Sequence, residues 1–365
     1  MDRAPNAPAR LVSLDAFRGA TIAAMILVNN PGDWGHIHWP LDHAPGHGWT
    51  PTDLIFPFFL FIVGVSLTFS TRLGFRPALR RAVTLIGLGL FMAAFPFFDL
   101  TTLRWPGVLQ RIGLCYLAAW AARRWVGTRG QAALAAGILA FYWLLMTQVP
   151  GPAGGAASLE HEANLAARID RIFLAGHMWK QTRTWDPEGL FSTLPAIATT
   201  ILGLHAGEWL RSARSPASRV AGLLGGGLAL VLAGLAWGGS FPINKNLWTS
   251  SYVLFTGGMA AYALGFCYLV TDVWGRRTWA RPFVAYGVNA IFVFVASGLL
   301  AKLLVVVKLP GAEGRPLALQ AHLFRALFLP LASPVNASLL YAVANVAFWY
   351  LVLRAMDRRG IHIKV

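Results

Sequence analysis

The chain has 365 residues, 56% of them hydrophobic and 13% charged, with a mean hydropathy of +0.55. That balance excludes an ordinary soluble domain and points to a polytopic membrane protein. Lysine and arginine (31) outnumber aspartate and glutamate (15), for a formal net charge of +16, but the basic residues fall in small groups between apolar runs, which argues against nucleic-acid binding.

Residues 1–10 are polar and proline-containing, and no small-residue cleavage pattern follows the first apolar run, so the first helix is expected to remain in the mature protein. Runs long enough to cross roughly 30 Å of hydrocarbon fall near residues 13–30, 51–71, 77–97, 106–124, 130–148, 189–210, 219–238, 248–272, 279–305 and 337–356. The expected fold is an all-α polytopic membrane bundle of about ten transmembrane helices, a single domain over 1–365. Cys115 and Cys267 lie far apart inside apolar runs and read as small buried hydrophobes. No internal repeat is evident, which weakens an inverted-repeat transporter.

Ten crossings return both termini to one side, and alternate loops should then carry the arginines. Arg3 and Arg10, Arg72 to Arg81, Arg123 to Arg129, Arg211 to Arg219, Arg276 to Arg281, and Arg354 to Lys364 do fall on one side. That side is expected to be cytoplasmic, with both termini on it. The opposite, periplasmic or luminal side holds the His43 loop, the 99–104 turn, the 149–188 segment, the 241–246 turn and residues 307–334. The 149–188 segment reads as an external lid with one short helix around Ile169, Ile172 and Phe173. Residues 317–331 are too short and proline-bounded to span with ease and fit a re-entrant or interfacial piece.

With that orientation Asn29 and Asn30, then His43, His47 and Asp53, then Asp186 and Glu188, then Lys245, Trp248 and Thr249 share one external layer. Such groups are costly near lipid unless they face a bundle interior, so a common external cavity is expected. A neutral imidazole with a reference pKa near about 6.5 can take a proton at working pH, which makes His43 a candidate base or nucleophile. A loop histidine bonded to backbone is the plainer alternative for His43 and for His47. His36, His38, His43 and His47 with Asp33 and Asp42 offer enough donors for zinc, yet their spacing fits no familiar ligand pattern, and no metal is expected.

Asp15 and Arg18 lie one helical turn apart at the entrance to the first span and can pair; Asp15 as a helix cap with Arg18 snorkelling is the alternative. Arg111 lies a turn or two inside the fourth span and needs a polar partner, such as a ligand phosphate or Glu188. Asn289 falls inside the ninth span, as an interhelical bonding group or a ligand contact. Lys245, followed by Thr249, Ser250, Ser251 and Tyr252, suits a polar or anionic group or is simply solvated.

Several stretches together resemble one family. They are R-L-V-S-L-D-A-F-R-G at 10–19, L-V-N-N at 27–30, the H-A-x-x-x-G-W-T-P-T-D-L-I-F-P-F-F-L-F-I-V-G run at 43–64, G-V-L-Q-R-I-G at 107–113, D-P-E-G-L-F-S-T-L-P-A-I at 186–197, P-I-N-K-N-L-W-T-S-S-Y-V-L at 242–254 and Y-G-V-N-A-I at 286–291. In order and number the chain resembles the heparan-alpha-glucosaminide N-acetyltransferase family of membrane acyltransferases and its bacterial relatives.

The resemblance implies an enzyme of the bacterial inner membrane that moves an acetyl group from cytoplasmic acetyl-CoA, as co-substrate, to a glucosamine-like amino sugar on the periplasmic side, with a homodimer as a possible assembly. It implies His43 and Asn29 as the catalytic pair, Arg111, Asn289, Lys245 and Arg18 on acetyl-CoA, and Asp53, Glu188, His47 and Trp248 on the acceptor. Family members often carry asparagine where this chain has His47. His43 would deprotonate the acceptor amine for direct attack or become acetylated itself, with Asn29 steadying the oxyanion; the sequence leaves both routes open. The rival is a transporter or exporter of a sugar or glycan fragment, with the same polar layer as its vestibule.

Overall fold

A computed structural model describes residues 11–71, 74–310 and 316–363. Arg3, Arg10, Arg72 and Lys364, which enter the charge pattern, lie outside the described residues.

The described residues form thirteen α-helices in order. The first, α1 (Val12–Asn29), leads through a loop with two short 3-10 turns (Trp39–Leu41 and Pro51–Leu54) into α2 (Ile55–Thr68). Next come α3 (Phe75–Ala94), α4 (Val108–Trp125), α5 (Thr128–Gln148), the short α6 (Leu165–Phe173), α7 (Thr193–Arg211), α8 (Pro216–Gly238) and α9 (Ser250–Tyr268). After α10 (Arg281–Val288) and α11 (Ala290–Val306) a hairpin of β1 (Lys308–Pro310) and β2 (Pro316–Ala318) pairs antiparallel, then α12 (Leu319–Leu327) and α13 (Pro334–Arg358) close the fold. The expected helix in the 149–188 segment is α6, and its side chains split into an inner apolar face and an outer face carrying exposed Arg168, Ile172 and Phe173. Residues 317–331 depart from the all-α expectation only through β2, before continuing as α12 and a 3-10 turn.

Among the described residues seven helices are long and apolar enough to cross a membrane, and an eighth counts if α10 and α11 form one bent span. The spans of α1, α2 and α9 are 67%, 72% and 67% buried, whereas those of α3, α5, α8 and α13 are 22–28% buried and turn leucines and phenylalanines outward. An inner set is therefore wrapped by an outer set. The expectation of about ten adds α4 and α7. These two pack against α2, α3 and α5 and bury Gln110, Arg111, Thr199 and Thr200; a helix shielded from lipid by its neighbours has no need to be apolar.

Inner helices approach closely where glycines replace side chains. A Cβ on Gly64 of α2 would stand 2.0 Å from the Thr200 carbonyl oxygen of α7, and one on Gly203 of α7 would stand 2.0 Å from that of Phe61. Gly19 of α1 and Gly287 of α10 meet in the same reciprocal way, against Phe283 and Asp15. Such contacts replace the missing hydrophobic driving force between helices in lipid.

Two local expectations change. Asn289 does not ride inside a continuous span; it sits at the break where α10 and α11 bend by 82°, and its Oδ1 accepts from the Ile363 N–H at 2.9 Å. Asp15 is not the cap of α1: the Asp272 carboxylate accepts from Val12 N–H at 3.3 Å and Ser13 N–H at 3.0 Å, supplying the anion that a helix start favours. At this same end Arg123 and Arg211, from α4 and α7, donate to the last carbonyls of α2, which gathers three helix ends and two arginine groups in one place.

Gly64→Val should cost about 1–3 kcal/mol or more by overpacking, seen as a lower melting temperature and loss of the monodisperse peak in detergent. Gly225→Val, where a Cβ meets nothing within 4 Å, should leave both unchanged.

Candidate active site

The 43–53 loop is built around one buried carboxylate. Asp53, 1% exposed, accepts on Oδ2 from Ala44 N–H at 3.1 Å and Thr50 N–H at 3.0 Å, while Oδ1 lies 2.7 Å from His43 Nδ1. Thr50 and Asp53 form a capping box at the start of the 3-10 turn that leads into α2. A carboxylate accepts only, so His43 carries its proton on Nδ1 and keeps Nε2 as its acceptor nitrogen. The His43 side chain is 49% exposed and open to an incoming group.

Lys245 arrives from the turn before α9. Its Nζ lies 3.0 Å from both ring nitrogens of His43 and 3.7 Å from Asp53 Oδ1. An atom equidistant from both nitrogens sits over the ring, since an in-plane position there would strike Cε1. Burial pushes the Lys245 ammonium toward its neutral form, lowering its pKa, and Asp53 and Glu188 oppose this. Asn244 Oδ1 accepts from Leu247 N–H at 3.0 Å, Thr249 N–H closes on the Asn244 carbonyl at 3.2 Å, and Trp248 takes a left-handed φ of 52°. A left-handed tryptophan persists only where its surroundings hold it. Trp248 is 1% exposed, touches Phe56 and Tyr252 edge-on, and donates its indole N–H to Thr199 Oγ1 at 3.1 Å.

Arg111, also 1% exposed, lies with its guanidinium 5.1 Å from the centre of the Trp248 ring. Its Nη2 donates to Ser192 Oγ at 2.5 Å and the Gly189 carbonyl at 3.1 Å, and Nε and Nη1 have no hydrogen-bond partner among the described residues. Glu188, Arg111's expected partner, adds its charge nearby but bonds Arg104 directly. Arg104 also forks onto Asp186, Nε to Oδ2 at 2.8 Å and Nη2 to Oδ1 at 2.5 Å. Burial alone would push the Glu188 carboxyl up, but Arg104, Arg111 and Lys245 outweigh it and hold the group below the usual carboxylate range. Burial likewise works against the Arg104 charge and is outweighed by Asp186 and Glu188.

Of the residues expected from sequence, His43, Asp53, Lys245, Glu188 and Arg111 therefore converge, with Trp248 buried beneath Arg111 and away from the open mouth. His47 is exposed beside them, its Nδ1 3.2 Å from Asn244 Nδ2, so it joins the two loops together with the Gly48 N–H bond to Ile243 at 2.7 Å. Asn29 is exposed at the end of α1, which packs against the turn holding Asp53. Arg104 is the main residue that the sequence reading did not single out; its signal was one external arginine facing the acid pair Asp186 and Glu188. The four histidines weighed for zinc take separate partners, His36 with Asp33, His38 with Asn336, His43 with Asp53 and His47 with Asn244.

Arg18 and Asn289 belong to the other end of the bundle. Arg18 pairs with Asp15 at 3.0 Å, donates to Ser66 Oγ at 2.7 Å, and lines a cavity of about 510 Å³ with Ser70, Thr71, Arg81 and Tyr116. The lining includes Val288, Ala290 and Ile363, the neighbours and bonding partner of Asn289. A narrow apolar cleft between Ile22, Met25, Leu109 and Phe294 shares Phe59, Ile112, Ala290 and Ile291 with this cavity and leads toward the start of α4, one turn from Arg111.

Arg104→Met should leave Asp186 and Glu188 as unpaired buried charges and destabilise the protein by about 3 kcal/mol near neutral pH. In the wild type the depressed Glu188 pKa contributes stability above the ordinary value of 4.5, and that contribution disappears as pH falls through the folded value. The variant lacks the contribution, so its melting temperature should lie furthest below the wild type at neutral pH and converge on it in acid, as thermal unfolding across pH would record.

Comparison with known proteins completes the picture. A family model described as heparan-alpha-glucosaminide N-acetyltransferase, catalytic, matches residues 10–236. The human heparan-alpha-glucosaminide N-acetyltransferase is 29% identical over 356 residues, covering 79% of this chain and 52% of the relative; the mouse protein is 29% identical over 351 residues, covering 78% and 53%. The chain thus spans about half the length of these curated relatives. With more than half of its own length matched by the family, the chain belongs to the heparan-alpha-glucosaminide N-acetyltransferase catalytic family.

Proposed function

We propose that this membrane protein transfers an acetyl group from acetyl-CoA, entering at the arginine-rich end of the bundle, to an amino sugar at the opposite end. In this reading α4 and α7 also cross, giving ten spans with both termini cytoplasmic and His43 facing the periplasm, the membrane being a bacterial inner membrane. The single observation that carries the reaction is the His43–Asp53 contact at 2.7 Å with a half-exposed ring, at the far end of the bundle from a cavity lined by Arg18 and Arg81.

The donor end follows from charge. Arg81 lies 4.8 Å from the centre of the Tyr116 ring, and its buried Nε has no hydrogen-bond partner among the described residues. Arg18 and Arg81 would take the phosphates of the nucleotide, since arginine holds phosphate by charge-assisted bonds. Asn289 would act there through Ile363. The apolar cleft between Phe59 and Leu109 suits the uncharged arm, which would bring the thioester up toward Arg111 and Lys245.

At the acceptor end Asp53 fixes the His43 tautomer, so Nε2 takes the proton from the attacking amine or itself attacks the thioester. The carbon–sulfur bond breaks, CoA leaves as thiol, and the amine ends as an amide. Lys245 and Asn29 would stabilise the negative charge that develops on the acetyl oxygen. Glu188 and the exposed His47 would bind the acceptor.

Mass spectrometry of mixtures of acetyl-CoA with a panel of amino sugars should yield a product heavier by one acetyl group; substrate flux without acetylation would favour the transport reading instead. His43→Ala should abolish transfer, and Asp53→Asn should reduce kcat by on the order of a thousandfold through the wrong tautomer. Quenching the protein after mixing with labelled acetyl-CoA and no acceptor tests the two-step route: label on His43 supports it, and its absence in active protein leaves direct attack. Arg81→Gln should weaken acetyl-CoA binding roughly tenfold, measured by calorimetry.

A further inference from the structure

Asp170 is a buried titratable group that the proposed chemistry does not use. It lies on the inner face of α6 beside Leu165, Ala166 and Ala167, and is itself 1% exposed. A carboxylate on the apolar face of a nine-residue helix is costly unless its oxygens are fully engaged. They are: Oδ1 accepts from the Leu190 N–H at 3.0 Å and Oδ2 from the Asp186 N–H at 3.2 Å. These two amides open and close the 186–190 turn. Between them Gly189 leaves no space for a side chain, because a Cβ there would stand 2.1 Å from Oδ2 of Asp170.

The same turn delivers much of the site. Asp186 and Glu188 face Arg104, and the Gly189 carbonyl accepts from Arg111, so the turn is gripped by Asp170 on one side and by two arginines on the other. We propose that Asp170 is a positioning residue, a latch that ties the external helix α6 to the 186–190 turn and thereby holds Glu188 and Arg111 in register with Lys245 and His43. The latch itself is a matter of geometry; its effect on rate rests on the acetyltransferase reading.

The latch has a titration built in. Burial, with the neighbouring Asp186 carboxylate adding to it, raises Asp170 to about 6, against the two amide bonds and Arg111. The groups that face it are Asp186 from its own loop, Arg111 from α4 and Tyr142 from α5. Arg171, one residue on, turns instead to the carbonyls of Thr184 and Glu162. Because the folded value lies above the ordinary 3.8, the native protein takes up a proton as pH falls through about 6. The closed turn therefore holds this proton more tightly than an opened one, so closing of the turn is favoured as pH falls through about 6 and loses that contribution as pH rises above it.

The test compares wild type, Asp170→Asn and Gly189→Ala, each full-length in detergent and checked for folding by chromatography and melting. The second variant keeps the carboxylate but displaces it. Hydrogen–deuterium exchange should show protection across 186–190 reduced roughly tenfold in both variants. In the wild type protection, corrected for intrinsic exchange, should rise as pH falls through about 6, and in Asp170→Asn it should be flat. In acetyl transfer both variants should lose kcat by roughly tenfold with KM for acetyl-CoA little changed. Wild-type protection and pH dependence in Asp170→Asn would overturn the latch, and reduced protection with unchanged kcat would overturn its positioning role. Should the wild type acetylate no amino sugar, the proposed reaction fails by itself, and the exchange comparison alone supports or overturns the latch.

Discussion

Charge brought out of water must be compensated where it sits, and the layer of this protein around His43 is organised by that requirement. Asp53, Asp186 and Glu188 stand against Arg104, Arg111 and Lys245, three carboxylates and three cations, all partly or wholly buried. Isolated, each would cost several kcal/mol to hold. Held together, they share fields: Glu188 feels Arg104, Arg111 and Lys245, and Lys245 feels Asp53 and Glu188. The loops that carry them are therefore bound into one object even though they lie between residues 43 and 249 of the chain. Removing one member alters the environment of all the others, so effects of single substitutions here should be strongly non-additive.

Backbone geometry does the fine placement. Asp53 is fixed by two amides before it ever meets His43, so the imidazole is oriented by a group that cannot itself move far. Trp248 gives Arg111 a flat partner, and the left-handed residue that puts it there also ends the turn from which Lys245 reaches the ring. Rigid support of this kind is what a reacting group needs, because a displacement of about 1 Å can cost on the order of a hundredfold in rate.

Much of this was readable from composition and periodicity. Apolar length gave most of the long helices, and depth along each run placed His43, Asp53, Glu188 and Lys245 in one layer. What was hidden depended on contacts that local pattern does not encode. Arg104 sits in a short turn and looks like a surface residue until Asp186 and Glu188 arrive from 82 and 84 positions away. Asp272 caps a helix that begins 260 residues earlier. Asn289 reads as mid-span because the flanking residues are apolar on both sides, and nothing in that run announces an 82° bend. Trp248, read in the external layer and on the acceptor, is instead sent inward by its turn. The shared failure is directional: sequence spacing gives depth along a helix but not which neighbour a side chain meets.

The separation of the two ends carries its own physical logic. A group-transfer site open to both faces of a membrane would leak solutes, and one open to neither could not exchange substrates. Here the wide cavity lined by Arg18 and Arg81 adjoins a small cleft walled by Phe59, Leu109, Ile112 and Phe294, whose lining is wholly apolar among the described residues. An apolar constriction of that kind is costly for an ion to enter yet favourable for an uncharged chain. In the proposed reaction the charged nucleotide would stay where the arginines are, and only the neutral arm would pass. The negative charge created during transfer would arise at the opposite end, beside Lys245, at a point already balanced to receive it. In that reaction the narrow cleft and the compensated charge layer would be two halves of one arrangement: the first would decide what crosses, and the second where bond breaking is least costly.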